Sequence, residues 1–215
     1  VDAGITQLRK VEVPESWKTA ADQTAAKGEQ PAFITDIANV MNRQEGDSLP
    51  VSAFVDHVDG TFPQGTARYE KRGVAFNIPR WIPENCIQCN QCSYVCPHAV
   101  IRPFLLDEAE KANAPEGYET VTGMKQYDQY QFRIQPSALD CTGCGNCAAV
   151  CPAKEKALVM EPLADQMEQA ANWDYSMTVT HKDNPLNKFS VKGSQFEEPL
   201  LEFSGACAGC GETPY

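Results

Sequence analysis

The chain has 215 residues, and 29 acidic against 18 basic side chains give it a formal net charge of −11. That length allows one large or two modest domains, and 42% hydrophobic with 22% charged residues belongs to a globular chain rather than a disordered tail. Its apolar runs fall far short of the ~18 residues of a membrane helix, no signal-peptide pattern is expected, and an acidic chain without a Lys/Arg cluster argues against nucleic acid as a partner. The start at Val1 predicts a fragment or a processed product.

Taken in chain order, Val11-Glu12-Val13 alternates like a short strand, and Pro14-Glu15-Ser16-Trp17 reads as a helix start. Phe33, Ile34, Ile37, Val40 and Met41 recur at helical spacing and predict a helix over residues 31–44. A short strand is expected at 51–55, turns at Asp59-Gly60 and Pro63-Gln64-Gly65, and another strand at 74–78. Extended segments follow at 99–102, 118–121, 131–135 and 157–160, with helices at 104–113 and 162–172. Residues 182–206 read as an extended connector.

The ten cysteines carry the chemistry. Eight of them form two copies of C-x-x-C-x-x-C-x-x-x-C-P, at Cys86, Cys89, Cys92, Cys96, Pro97 and again at Cys141, Cys144, Cys147, Cys151, Pro152, offset by 55 residues. This is the bacterial ferredoxin spacing, in which the fourth cysteine of each run ligates the other cluster. Three cysteines two residues apart wrap a loop around a cubane, and the chain then turns into a helix that carries the fourth away. Proline, with no N–H and a fixed φ, suits the change of direction. The pattern predicts one [4Fe-4S] cluster on Cys86, Cys89, Cys92 and Cys151, and a second on Cys96, Cys141, Cys144 and Cys147. Zinc is the competing reading, although it prefers paired C-x-x-C units with a spacer.

Cys207 and Cys210 form a lone C-x-x-C, open to reading as a redox pair, half a zinc site or half a third cluster. His57, His98 and His181 are isolated in sequence, and His98 reads as a solvated residue at a helix start. Glu70-Lys71-Arg72 reads equally as a signature motif or as an ordinary charged turn. Lys154 and Lys156 follow Cys151 closely, either as a positive landing site for an acidic partner or as ordinary solvated lysines. The expected fold is α+β. It comprises a small α/β linker domain over 1–73, a duplicated strand–loop–helix–strand two-cluster ferredoxin-like domain with an inserted helix and strands over 74–181, the connector over 182–206, and the start of a further domain over 207–215.

Three stretches together resemble pyruvate:ferredoxin (flavodoxin) oxidoreductase: the run Tyr69-Glu70-Lys71-Arg72-Gly73, the run from Trp81 through Cys86-Ile87-Gln88-Cys89 to Cys92, and the ending Cys207-Ala208-Gly209-Cys210-Gly211-Glu212-Thr213-Pro214-Tyr215. The resemblance covers an internal part of that large enzyme. It implies oxidative decarboxylation of pyruvate with CoA as substrate to give acetyl-CoA, using thiamine diphosphate and Mg2+. Electrons would pass through three [4Fe-4S] clusters to ferredoxin or flavodoxin. Cys207 and Cys210 would then be two ligands of the cluster nearest thiamine, the Cys96/Cys141/Cys144/Cys147 cluster would be medial and the Cys86/Cys89/Cys92/Cys151 cluster distal. Glu212 is similar to a family residue near thiamine, at the start of the thiamine diphosphate domain. The parent is expected to be a cytoplasmic homodimer, with this segment lacking the catalytic centre. The alternative is a free-standing carrier with two clusters; a third class, a zinc-stapled interaction module, would be colourless.

Overall fold

The computed structural model describes residues 10–19, 29–61, 63 and 65–197, so Cys207, Cys210 and Glu212 lie outside the described residues. The chain divides into two units, Val1–Gly60 and Thr61–Tyr215.

In the first unit a π-helical turn at Ile34–Ala38 runs into helix α1 at Asn39–Asn42, burying Ile34 and Ile37, which is the amphipathic stripe read from the sequence. The strand expected at 51–55 is a 3-10 helix instead, Val51–His57. Val51 is 91% exposed, so the alternation there has neither a core to face nor a ladder to join. The same reason removes the strand expected at 11–13, where Val11 and Val13 stand exposed beside a 3-10 turn at Glu15–Thr19.

In the second unit the segments flanking each cysteine run become strands. Strand β1 is Asn77–Trp81, helix α2 is Gln91–Tyr94 and strand β2 is Ile101–Leu106. After an insertion, β4 is Gln131–Pro136, α4 is Asn146–Val150 and β5 is Leu158–Pro162. The insertion contributes α3 at Glu108–Ala112 and the two-residue strand β3 at Val121–Thr122. Strands pair between the two runs rather than within either. β1 pairs antiparallel with β5, with Trp81 opposite Leu158; β2 pairs antiparallel with β4, with Ile101 opposite Pro136, and β3 extends that sheet along β4. Helices α2 and α4 pack on one another. The fold is therefore α+β, with two small sheets. Its core runs through Ile78, Trp81, Ile101, Tyr127, Phe132, Ile134 and Leu158. Burying each such side chain stabilises the fold by about 1.5–3 kcal/mol, and Cys92, Cys141 and Cys147 are part of the same cluster.

Four boundaries differ from the sequence reading. The strand expected at 74–78 begins at Asn77, because Val74 and Phe76 face solvent. The helix expected at 104–113 is shorter: Phe104 to Leu106 finish β2, and Asp107 starts α3 with a capping box. There Asp107 accepts from the Glu110 N–H at 2.8 Å, and Glu110 accepts in return from the Asp107 N–H at 2.9 Å. The connector is not wholly extended, since helix α6 occupies Val191–Glu197 and packs against α2. The helix expected at 162–172 is a 3-10 turn, Leu163–Asp165, followed by α5 at Glu168–Ser176.

Candidate metal centres

The two cysteine loops take the same path by different means. At the second residue after the first cysteine of each run the backbone is left-handed, φ 54° at Gln88 and 73° at Gly143, and again two residues on, φ 60° at Asn90 and 76° at Gly145. This turn aims an N–H back at sulfur: Gln88 N–H donates to Cys86 Sγ at 3.4 Å and Gly143 N–H to Cys141 Sγ at 3.3 Å. Glycine adopts that conformation without penalty, whereas other residues are strained by roughly 1–2 kcal/mol. The first loop offsets its strain through side chains. Gln88 Nε2 donates to the Thr122 carbonyl at 2.9 Å, Met124 N–H donates to Gln88 Oε1 at 3.0 Å, and Asn90 Nδ2 donates to the Lys192 carbonyl at 3.0 Å. The second loop needs glycine for space as well, because a Cβ on Gly143 would stand 3.0 Å from the Asn77 carbonyl oxygen.

Two small cavities result, each partly open to solvent. One is lined by Cys86, Cys89, Cys92 and Cys151, with Trp81, Ile134 and Leu158 closing it on the apolar side. The other is lined by Cys96, Cys141, Cys144 and Cys147, with Val100, Ile101 and Met160. Each cavity thus takes three cysteines from one run and the fourth from the other. The cavities are neighbours, since Cys92 and Cys147, on the packed helices α2 and α4, lie within electrostatic range of each other.

The thiols carry no disulfide. Burial raises the Cys86, Cys92 and Cys96 thiols above the ordinary cysteine range, with neighbouring cysteines adding to it. Burial likewise pushes Cys141 up to about 11 and Cys147 up to about 12. Such thiols are poor nucleophiles and give up their protons only to a cationic ligand. Among the described residues no three Cys, His, Asp or Glu side chains close tightly enough to hold a single metal ion. Four soft donors spaced around each cavity fit a thiolate-bound cluster.

Neighbouring side chains brace these loops, and the sequence reading missed them. Lys71 forms an ion pair with Asp140, the residue before Cys141, and Ser137 Oγ donates to the same carboxylate. Glu70 and Arg72 pair with each other on the surface. Gly73 N–H donates to the Leu139 carbonyl at 2.9 Å, fixing that run to the second loop. Lys156 is not a freely solvated lysine either: its Nζ donates to the carbonyls of Ala149 at 3.0 Å and Cys151 at 2.7 Å, closing the end of α4. His98, read as solvated, is buried in the wall of the second cavity.

Residues 85–155 match a 4Fe-4S dicluster domain, and residues 19–75 match the EKR domain, a domain of unknown function. Over its full length the chain is 56% identical to pyruvate-flavodoxin oxidoreductase from Enterobacter agglomerans and 54% identical to that from Klebsiella pneumoniae. It is also 54% identical to pyruvate:ferredoxin oxidoreductase from Moorella thermoacetica. Along its whole length the chain is thus similar to one part of the pyruvate-flavodoxin and pyruvate:ferredoxin oxidoreductases. It spans 18% of the length of each of these three relatives. The dicluster match spans all eight cavity cysteines, and the EKR match ends just past the Lys71 brace. Among the described residues no helix is long and apolar enough to cross a membrane.

Proposed function

We propose that this chain is the electron-transfer segment of a pyruvate:ferredoxin (flavodoxin) oxidoreductase, built on a duplicated two-cluster ferredoxin-like domain. The observation that carries the reading is the pair of adjacent cavities, each lined by four cysteines drawn three and one from the two runs. Cys86, Cys89, Cys92 and Cys151 hold one [4Fe-4S] cluster, and Cys96, Cys141, Cys144 and Cys147 hold the other. When bound, each cluster accepts and releases one electron at a time. The chain's own residues set the conditions for that exchange. Thiolates anchor the metal, the N–H groups of Gln88 and Gly143 spread charge away from sulfur, and the apolar walls keep water out. The contact between α2 and α4 keeps the two sites close enough for electrons to pass between them.

The parent enzyme uses thiamine diphosphate, Mg2+ and CoA to turn pyruvate into acetyl-CoA, and ferredoxin or flavodoxin receives the electrons. Cys207 and Cys210 contribute two ligands to a third cluster, and Glu212 lies near thiamine. This places the second-cavity cluster in the middle of the chain of three and the first-cavity cluster at the exit. The parent is a homodimer in the cytoplasm. These parts of the reading rest on the family resemblance. The cluster-loaded chain should pass electrons from a strong reductant to ferredoxin or flavodoxin while turning over no pyruvate. CoA-dependent pyruvate oxidation by these 215 residues alone would overturn the division of labour.

A further inference from the structure

The first cysteine of each run accepts one backbone N–H, and in the second cavity Cys96 also accepts from the backbone of His98, Val100 and Ile101. The side-chain donors lie on the other side of the balance. Trp81 ends β1, lines the first cavity and is 5% exposed. Its Nε1–H is buried, finds no nitrogen or oxygen acceptor among the described residues, and faces Cys86. The residue 55 positions further on is Pro136, which ends β4 in the same way and has no N–H to offer.

Tyr127 is a second unmatched donor. It is fully buried, its hydroxyl has no nitrogen or oxygen partner among the described residues, and it lies within electrostatic range of Cys86 and Cys89. Tyr127 belongs to the insertion between the two runs, so the second cavity has no counterpart to it. Lys192 adds positive charge on the same side, with its Nζ 4.9 Å from the centre of the Tyr127 ring. In the second cavity the nearest ion pair, Lys71 with Asp140, is neutral overall. The ring atom without a partner there, His98 Nδ1, acts as an acceptor when the proton sits on Nε2.

A buried donor left without an acceptor costs about 1–3 kcal/mol. Trp81 lines the four-cysteine cavity with its N–H towards Cys86, and Tyr127 lies within electrostatic range of two of its cysteines, which points to an acceptor inside it. We propose that Trp81 and Tyr127 donate hydrogen bonds to the sulfur atoms of the cluster held by Cys86, Cys89, Cys92 and Cys151, and so raise the reduction potential of that cluster alone. The inference rests on the cluster assignment proposed above. Gaining one electron makes a cluster more negative, and a donor pointed at its sulfur stabilises that state more than the oxidised one. No proton moves and no bond to the protein changes. The outcome is a bias towards the reduced state of the first-cavity cluster.

The test is an EPR-monitored redox titration of the cluster-loaded protein with Trp81→Phe and Tyr127→Phe, each of which keeps an aromatic ring and deletes the donor. Each variant should lower the reduced fraction of the first-cavity cluster by about tenfold at a fixed solution potential, ~59 mV for one electron, while the second-cavity cluster stays unmoved. Unchanged potentials at full iron content would overturn the hydrogen bonds and leave the cluster assignment standing. Equal shifts of both clusters would also overturn them, as a general loosening. If the unsubstituted protein binds no iron, the assignment itself fails. Should Trp81→Phe fail to load, Tyr127→Phe, which loses a single oxygen atom, decides the matter.

Discussion

The Lys71 side chain is 24% exposed and the Asp140 side chain only 5%, so this ion pair is partly withdrawn from water. Breaking such a pair leaves a desolvated carboxylate held by the Ser137 hydroxyl alone. Lys71→Met should therefore cost about 2 kcal/mol of stability, read from the thermal unfolding midpoint of the metal-free protein. Adding Asp140→Asn, which removes the stranded charge, should recover most of the loss. An unaltered midpoint in Lys71→Met would show that the pair contributes nothing. At this scale the sequence discloses what local spacing can encode and little else. The eight cysteines stand out because a cluster loop demands fixed intervals. The partner of Lys71 lies 69 residues away, and the Lys156 ammonium settles on carbonyls at the end of α4. Such partners are chosen by tertiary packing, and no local spacing announces them. The same holds for His98, whose burial follows from the wall it joins.

At the scale of elements, duplication is legible because both runs repeat the same order of strand, loop, helix and strand at one offset. What the offset hides is that β1 pairs with β5 and β2 with β4, so that neither copy builds a sheet of its own. The interleaving explains why each cavity borrows a cysteine. The chain leaves α2 toward β2 with Cys96 and leaves α4 toward β5 with Cys151, and each exit lies beside the other copy's loop. Cys96→Ala should accordingly damage the cluster of the second run, and Cys151→Ala that of the first. Cluster-specific EPR signals would record the exchange; losses confined to the run that carries the mutation would contradict it. The misplaced elements share a physical cause. The 3-10 helix Val51–His57 and the helix Val191–Glu197 have weak local patterns, and β2 and α3 are separated only by a capping box inside one apolar-to-charged run.

For the molecule as a whole, site and core are shared: Cys92, Cys141 and Cys147 belong to the buried core, and Cys86 and Cys96 pack against it. Removing metal would leave raised, protonated thiols facing two cavities in that core. The formal charge of −11 grows more negative with clusters bound, since four thiolates on an oxidised cubane leave about −2 at each site. The central claim is that the cavities hold two four-iron clusters close enough to interact. It is tested most directly by metal and sulfide analysis of anaerobically reconstituted protein, followed by EPR of the reduced sample. The expected result is about eight iron and eight sulfide per chain, with spin–spin coupling between neighbouring clusters. About two zinc ions per chain, with no sulfide and no visible absorbance, would contradict it.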